Sequence, residues 1–289
     1  MESGALRRSR RPRTGGAALP RPDKYELYEA AVQGVEYDLD FVGRTYRTHR
    51  GRPFTLLRED FCGTAALACA WARRGRAHRA WAVDLDPEPL AWCRARRLPW
   101  LRAAAERVTL VRGDVRRPGT PKVDVVVAFN FSYWVFHARA DLVGYFRSVR
   151  RALRPGGMFF VNAFGGHESM RTLTERSRIP AGTAADGEPV PAFTYEWQQA
   201  AFNPLDHRLR CHMHFRLGDG RWMRRAFTYD WRLWTVPEVR DAMLDAGFRA
   251  THVYVEDWDE ERQRPGYAFR RRTRMENMEC WLAYVAALA

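Results

Sequence analysis

The chain has 289 residues, enough for one ordinary domain with an insertion, and 46% of them are apolar, so a sizeable core can be buried. A formal charge of +14 invites a nucleic-acid partner, but all but two of the 48 basic residues are arginine (the lysines are Lys24 and Lys122), spread along the chain rather than gathered in a patch, which argues against one. No apolar run approaches the roughly 20 residues of a membrane span, and the five scattered cysteines (Cys62, Cys69, Cys93, Cys211, Cys280) form no C-x-x-C pair, which argues against a disulfide framework or zinc site and fits a reducing cytoplasm.

Residues 1–22 are rich in Arg, Gly, Pro and Ala and lack the apolar core of a secretory signal, so they read as a disordered basic leader. From Asp23 to Tyr46, one or two amphipathic helices are expected: Tyr25, Tyr28, Ala31 and Val32 share a face, and Tyr37, Phe41, Val42 and Tyr46 continue the pattern.

The stretch from Phe54 to Asp86 is the centre of the chain's organisation. An apolar run reaches Glu59-Asp60-Phe61-Cys62-Gly63-Thr64-Ala65, then Ala, Leu and Trp recur at helical spacing, and a second apolar run ends at Asp84-Leu85-Asp86. Strand, tight turn, helix and a strand ending in an acid make the βαβ unit that binds an adenosine-containing cofactor. A dinucleotide fingerprint requires G-x-G-x-x-G to bring backbone against a pyrophosphate, and this turn has only Gly63, which disfavours NAD and FAD.

Residues 59–65 resemble the first motif of the class I S-adenosylmethionine (SAM) methyltransferases, an acid followed by Cys-Gly-Thr-Gly, with Phe61 and Ala65 standing where the family has its first and third glycines. SAM carries no phosphate; it requires backbone N–H groups near its carboxylate and an acid near its ammonium group. The resemblance places Glu59 as that acid, with Phe61, Cys62, Gly63 and Thr64 forming the turn, Asp84 and Leu85 at the ribose, and Tyr28 among the residues that close over the cofactor, Tyr25 and Gln33 being further candidates.

Further along, Pro87 to Arg96 is helical and Val108 to Val111 is a strand, followed by Asp114 and Val115, which by the same resemblance meet the adenine; the Gly113-Asp114 pair could otherwise be a plain turn. Val123 to Phe129 is β-branched throughout, the pattern of a central parallel strand covered on both faces, and it ends in Asn130-Phe131-Ser132-Tyr133-Trp134. Ligands in open α/β sheets bind beyond the carboxyl ends of strands, so Asn130 and Phe131 are expected at the cofactor, Tyr133 at the reacting atoms and Trp134 at the acceptor. The Asn-Pro-Pro-Tyr of amino-directed nucleic-acid and glutamine methyltransferases is absent, which points to a small acceptor. A helix from Ala138 to Leu153 stops at Arg154-Pro155-Gly156-Gly157, and a fifth strand follows at Met158 to Ala163.

Residues 167–234 read as an insert: a polar helix through Arg176, an exposed loop through Thr183, then three β-prone runs at 193–199, 209–215 and 222–229, the last two separated by the hairpin turn Gly218-Asp219-Gly220. The runs form an antiparallel lid whose aromatic residues Tyr195, Trp197, Tyr229 and Trp231 are candidates for binding the acceptor. His212 and His214 share one strand face and are general-base candidates together with Glu196; no third ligand lies within reach for a metal. Thr235 to Gly247 is a capped helix, and His252–Glu256 and Cys280–Val285 are closing strands around a charged solvent loop, 257–274.

The sequence therefore predicts an α/β fold, a doubly wound, seven-stranded, mostly parallel Rossmann-like sheet, with a SAM-binding core over 23–166, an antiparallel lid over 167–234 and closing elements of the core over 235–289. The resemblance implies methyl transfer from SAM to a small-molecule acceptor; the alternatives are an RNA or protein methyltransferase, or a SAM-fold binding module without catalysis. The oligomeric state is not encoded in any motif.

Overall fold

The computed structural model describes residues 22–184, 187–259 and 264–289; the leader expected over 1–22 lies, apart from Pro22, outside the described residues. Asp23 opens helix α1 (Lys24–Val32) with a capping box: its carboxylate accepts from the Tyr25 and Glu26 N–H groups at 2.8 and 3.0 Å, and Glu26 reaches back to the Asp23 N–H at 2.9 Å. Helix α2 (Val35–Arg50) buries Leu39, Phe41, Val42 and Tyr46 against the sheet and stops at Gly51 in the left-handed conformation.

Strand and helix then alternate: β1 (Leu56–Asp60), α3 (Ala66–Arg73), β2 (Arg79–Asp84), α4 (Pro87–Trp92) running through a π-turn into α5 (Leu98–Leu101), β3 (Val108–Arg112), β4 (Val123–Ala128), α6 (Arg139–Ala152) and β5 (Leu153–Gly165). Each helix carries the chain back, so these five strands pair in parallel, in the order β3-β2-β1-β4-β5. All six residues of β4 are buried, Val125 and Val127 packing with the α2 and α3 side chains and Val126 and Ala128 with those of α6 on the other face. Within β1, Arg58 and Asp60 form a fully buried ion pair at 2.8 Å, and the Tyr145 hydroxyl donates to the same carboxylate at 2.9 Å, satisfying charges that would otherwise be costly there.

A second sheet is built from β6 (Leu173–Ile179), a two-residue pair β7 (Gly182–Thr183) and β8 (Pro189–Val190), then β9 (Phe193–Phe202), β10 (Arg208–Arg216) and β11 (Trp222–Arg232); its four long strands are ordered β11-β10-β9-β6 and are antiparallel throughout, with β7 and β8 pairing separately. The polar helix expected to run through Arg176 is not formed. Residues 173–179 are instead the edge strand, because pairing Leu173 to Gln199 and Ile179 to Phe193 satisfies a whole row of backbone groups, which outweighs the local helical pattern.

Thr235 caps α7 (Val236–Asp245) with a second capping box through Glu238, and β12 (Ala250–Asp259), β13 (Arg264–Arg271) and β14 (Trp281–Leu288) complete the main sheet. Strand β14 runs antiparallel between β5 and β12. The expected solvent loop over 257–274 is corrected: β12 extends to Asp259 and β13 pairs with it, making the sheet eight-stranded rather than seven-stranded. An Arg-rich strand is tolerated there because it is the outermost one, with Arg270 and Arg271 exposed.

Candidate active site

The turn between β1 and α3 has no G-x-G-x-G, yet it adopts the backbone that such a motif permits. Phe61, Gly63 and Ala65 have φ of 55°, 52° and 54°, all left-handed, at an expense of about 1–2 kcal/mol for each non-glycine residue. Hydrogen bonds hold it there: the Cys62 N–H donates to the Val83 carbonyl at 3.0 Å and the Gly63 N–H to Asp84 Oδ2 at 2.7 Å, while Asp84 Oδ1 accepts from the Asp86 N–H at 2.9 Å. Asp84 thus ties the turn to the end of β2 across 21 residues of chain. A Cβ on Gly63 would meet nothing within 4 Å, so the turn has open space in front of it.

Ala65, at the N-cap of α3, has no side chain to satisfy the helix's first amides. Glu59 does so from the preceding strand, accepting the Ala68 N–H at 2.8 Å. Burial pushes the Glu59 carboxyl up to about 8, against the lowering effects of that hydrogen bond and of Arg97. Helix α1 closes the other side of the turn: Glu29 accepts from both the Thr64 hydroxyl and the Arg97 guanidinium, and the Trp92 indole donates to Asp23 at 2.5 Å.

Beyond the carboxyl ends of β4 and β5 lies a cavity of about 670 Å³, walled by the inner face of the antiparallel sheet, by α1 and α2, and by β12–β14. Tyr28, Asn130, Phe131, Tyr195, Trp197, Tyr229 and Trp231 all line it. The Tyr28 hydroxyl meets the Asn130 side chain, Asn162 accepts the Phe131 N–H at 3.1 Å, and Tyr229 and Trp231 stack at 4.3 Å.

Residues 60–161 match the family model described as a methyltransferase domain, a span that runs from the last residue of β1 through the turn, β2, β3 and β4 into β5. The fold is similar to that of a SAM-dependent methyltransferase from Clostridium acetobutylicum ATCC 824, at 16% identity and a TM-score of 0.63 over 91% of this chain and 95% of that one. Residues 60–161 therefore match a methyltransferase domain, and the fold around them is one that solved SAM-dependent methyltransferases share. The fold of the chain is also similar to that of CalS10, an amino pentose methyltransferase from Micromonospora echinaspora (17% identity, TM-score 0.64, 95% of this chain and 100% of that one), and to that of DesVI from Streptomyces venezuelae (16%, 0.61, 92% and 97%). No curated protein matches the chain.

The candidate site residues sort into four groups. Glu59, Cys62, Gly63, Thr64 and Asp84 meet at the turn; Phe61 contributes its backbone there, but its ring turns away to Phe136 and Tyr145 at 6.0 and 5.6 Å. Leu85 is exposed beside Asp84, Val115 is buried in the core, and Asp114 is held by Arg116 through bonds of 2.7–3.1 Å, which keep its carboxyl below the usual range. The acceptor candidates of the lid line the cavity.

The fourth group requires correction. Tyr133 and Trp134, expected at the reacting atoms, are fully buried in the core with Tyr145 and Phe146, because Asn130 and Phe131 are both left-handed (φ 53° and 58°) and turn the following residues under the sheet. His212, His214 and Glu196 lie on the outer face of the lid, pairing with Thr228 (2.9 Å), Gln198 (3.3 Å) and Arg176 (2.6 Å). Met213 and Trp197, their neighbours in the strands, point into the cavity instead, so none of the three reaches it. The cavity's polar groups not singled out from sequence, Asp38 and Tyr284 foremost, come from α2 and the closing strands; Asp38 accepts from the Tyr284 hydroxyl across 246 residues, a pairing that no local pattern announces.

Proposed function

We propose that this protein is a methyltransferase that moves the methyl group of SAM onto a small molecule held in the cavity beyond β4 and β5. The observation that carries this reading is the cavity itself: it opens at Asn130 and Phe131, at the carboxyl end of the central strand, and is roofed by the aromatic face of an antiparallel sheet. The residues at the turn suit a nucleoside bearing an amino-acid tail rather than a pyrophosphate. A half-buried carboxylate, Glu59, suits an ammonium group; Asp84, at the strand end, suits ribose hydroxyls; and the open space at Gly63 lets backbone approach.

Bound there, SAM supplies an electrophilic methyl group on a sulfonium. The protein's part is to hold the acceptor in line with that methyl and to keep water out. Tyr28, Asn130 and Phe131 form the junction between the turn and the cavity, with Asn162 fixing the backbone of Phe131. Tyr195, Trp197, Tyr229 and Trp231 provide a flat apolar wall, and α1, pinned by Glu29 and Asp23, closes the cofactor end. Solved structures of similar fold include an amino pentose methyltransferase and KedS8, a sugar N-methyltransferase, which is compatible with a polar small acceptor here.

The test is calorimetric binding of SAM followed by turnover against a panel of small acceptors. Binding of SAM and methylation of a panel member is the expected outcome; methylation of RNA or protein alone, or binding of SAM with no transfer to anything, rejects the reading.

A further inference from the structure

Building on the small-molecule reading above, we infer that the acceptor is an amine that enters the cavity as its ammonium ion, and that Asp38 removes the proton before the nitrogen is methylated. The charge of the cavity wall is the first ground. The protein as a whole carries +14, yet five carboxylates line this cavity and, among the described residues, no lysine, arginine or histidine does. Two of the five are compensated, Glu168 by Arg171 at 3.1 Å and Asp257 by Arg270 and Arg272. Asp38, Glu175 and Glu256 pair with no cation among the described residues; Glu175 is solvent-exposed, and Asp38 and Glu256 are half-buried.

Half-buried carboxylates such as Asp38 and Glu256 are costly in an aromatic cavity unless a positive group joins them. A cleft lined by one sign of charge focuses its field on ions of the other sign, and the aromatic faces favour a cation too. An alcohol of the same shape would leave those carboxylates uncompensated, and a phosphorylated or carboxylated acceptor would be repelled.

The second ground is what an ammonium needs. Its nitrogen has no free lone pair, so a proton must leave first, to a base in the cavity wall. Asp38 fits by position, on α2 with its carboxylate accepting from the Tyr284 hydroxyl of β14. It also fits by acidity: burial pushes its carboxyl up to about 7, Tyr284 pulling the other way. The other titratable groups lining the cavity are Tyr28 on α1, Tyr37 on α2 itself, Glu168, Glu175 on β6, Tyr195 and Tyr229 of the lid, Glu256 and Asp257 on β12, and Cys280 just before β14; β13 contributes the neutral Phe269. The ammonium gives one proton to the Asp38 carboxylate. The freed lone pair forms the new N–C bond as the methyl–sulfur bond breaks with its electrons staying on sulfur, leaving a methylated ammonium, a neutral thioether and a proton that Asp38 returns to water.

The experiment compares isosteres, benzylamine with benzyl alcohol and glucosamine with glucose, in two readouts. In calorimetry on the protein without SAM, at least one amine binds ten or more times more tightly than its alcohol, and Asp38→Asn removes most of that preference while leaving SAM affinity within threefold. In turnover, kcat/KM for the amine rises with pH to a plateau above about 7; in Asp38→Asn that limb disappears, and the rate falls 100-fold or more and follows the free-base fraction of the amine. Should Asp38→Asn lose the wild-type circular-dichroism spectrum, Tyr284→Phe replaces it, and the limb then moves to higher pH because the hydrogen bond that lowers the Asp38 carboxyl is gone. Amines binding no better than alcohols, no binding by any amine, or an unchanged preference and pH profile in the variants overturns the inference. If alcohols are methylated in its place, the small-molecule function stands and only the amine assignment falls; if SAM does not bind at all, the function falls with it.

Discussion

The turn around Gly63 and the cavity under the antiparallel sheet lie at the same edge of the main sheet but are built in different ways. At the turn, the hydrogen bonds that set the shape join residues between 59 and 86, and most use backbone: Gly63 to Asp84, Cys62 to Val83, Ala68 to Glu59. In the cavity, the walls come from α1, α2, β9–β11 and β12–β14, and the decisive polar pair, Asp38 with Tyr284, spans almost the whole chain. A site built from short-range backbone contacts tolerates little change in any one residue. A site walled by side chains from many elements can change its ligand while the fold stays put.

The sharpest test of this contrast is Asp84→Ala. It removes the acceptor of the Gly63 N–H and Asp86 N–H bonds, each of the charge-assisted kind, worth about 1.5–3 kcal/mol, so SAM affinity should fall by about 100-fold or more in calorimetry. Trp197→Ala tests the other region: the KM for the acceptor should rise about tenfold with SAM affinity unchanged, and a parallel loss of SAM affinity would break the separation between the two regions.

Glu59→Gln probes the turn through pH. The Glu59 carboxyl is raised, so between the unfolded value near 4.5 and the folded value of about 8 the native state keeps a proton that the unfolded state gives up. Stability of the SAM-free protein therefore falls as pH rises through that window. The Gln variant still offers an oxygen to Ala68 N–H, so its Tm should vary less between pH 5 and pH 8 by a few degrees; an unchanged slope would show that another group carries it. The smallest effect is expected on the outer face of the lid. His212→Ala and His214→Ala should each leave kcat/KM within about twofold, and a loss of 100-fold in either would place that face in the reaction after all.

The same contrast explains how far the residues could be read in order. Glu59, Gly63 and Asp84 are recognisable because their partners are neighbours in the chain, and the turn keeps its shape even where Phe61 and Ala65 stand in left-handed positions that glycine occupies more cheaply. In the lid, alternation correctly put Tyr195 with Trp197, Tyr229 with Trp231, and His212 with His214 on common faces. Alternation has no means of telling which face looks inward, and that is where the histidines and Glu196 were misplaced. Tyr133 and Trp134 failed for a related reason: two consecutive left-handed residues at 130 and 131 reverse the chain, and neither is a glycine that would have signalled it.

Local chemistry therefore determined the alternating α/β core, the strand-turn-helix with its two acids, and the aromatic strands of the insert, since periodicity, caps and turn residues act within a few positions of one another. Packing alone decided that residues 173–179 and 264–271 become strands, which side of the lid meets the ligand, and that an aspartate of the second helix faces a tyrosine of the last strand. These outcomes depend on backbone groups and side chains distant in sequence finding partners in space, and the free energy of that pairing exists only once the sheet has assembled.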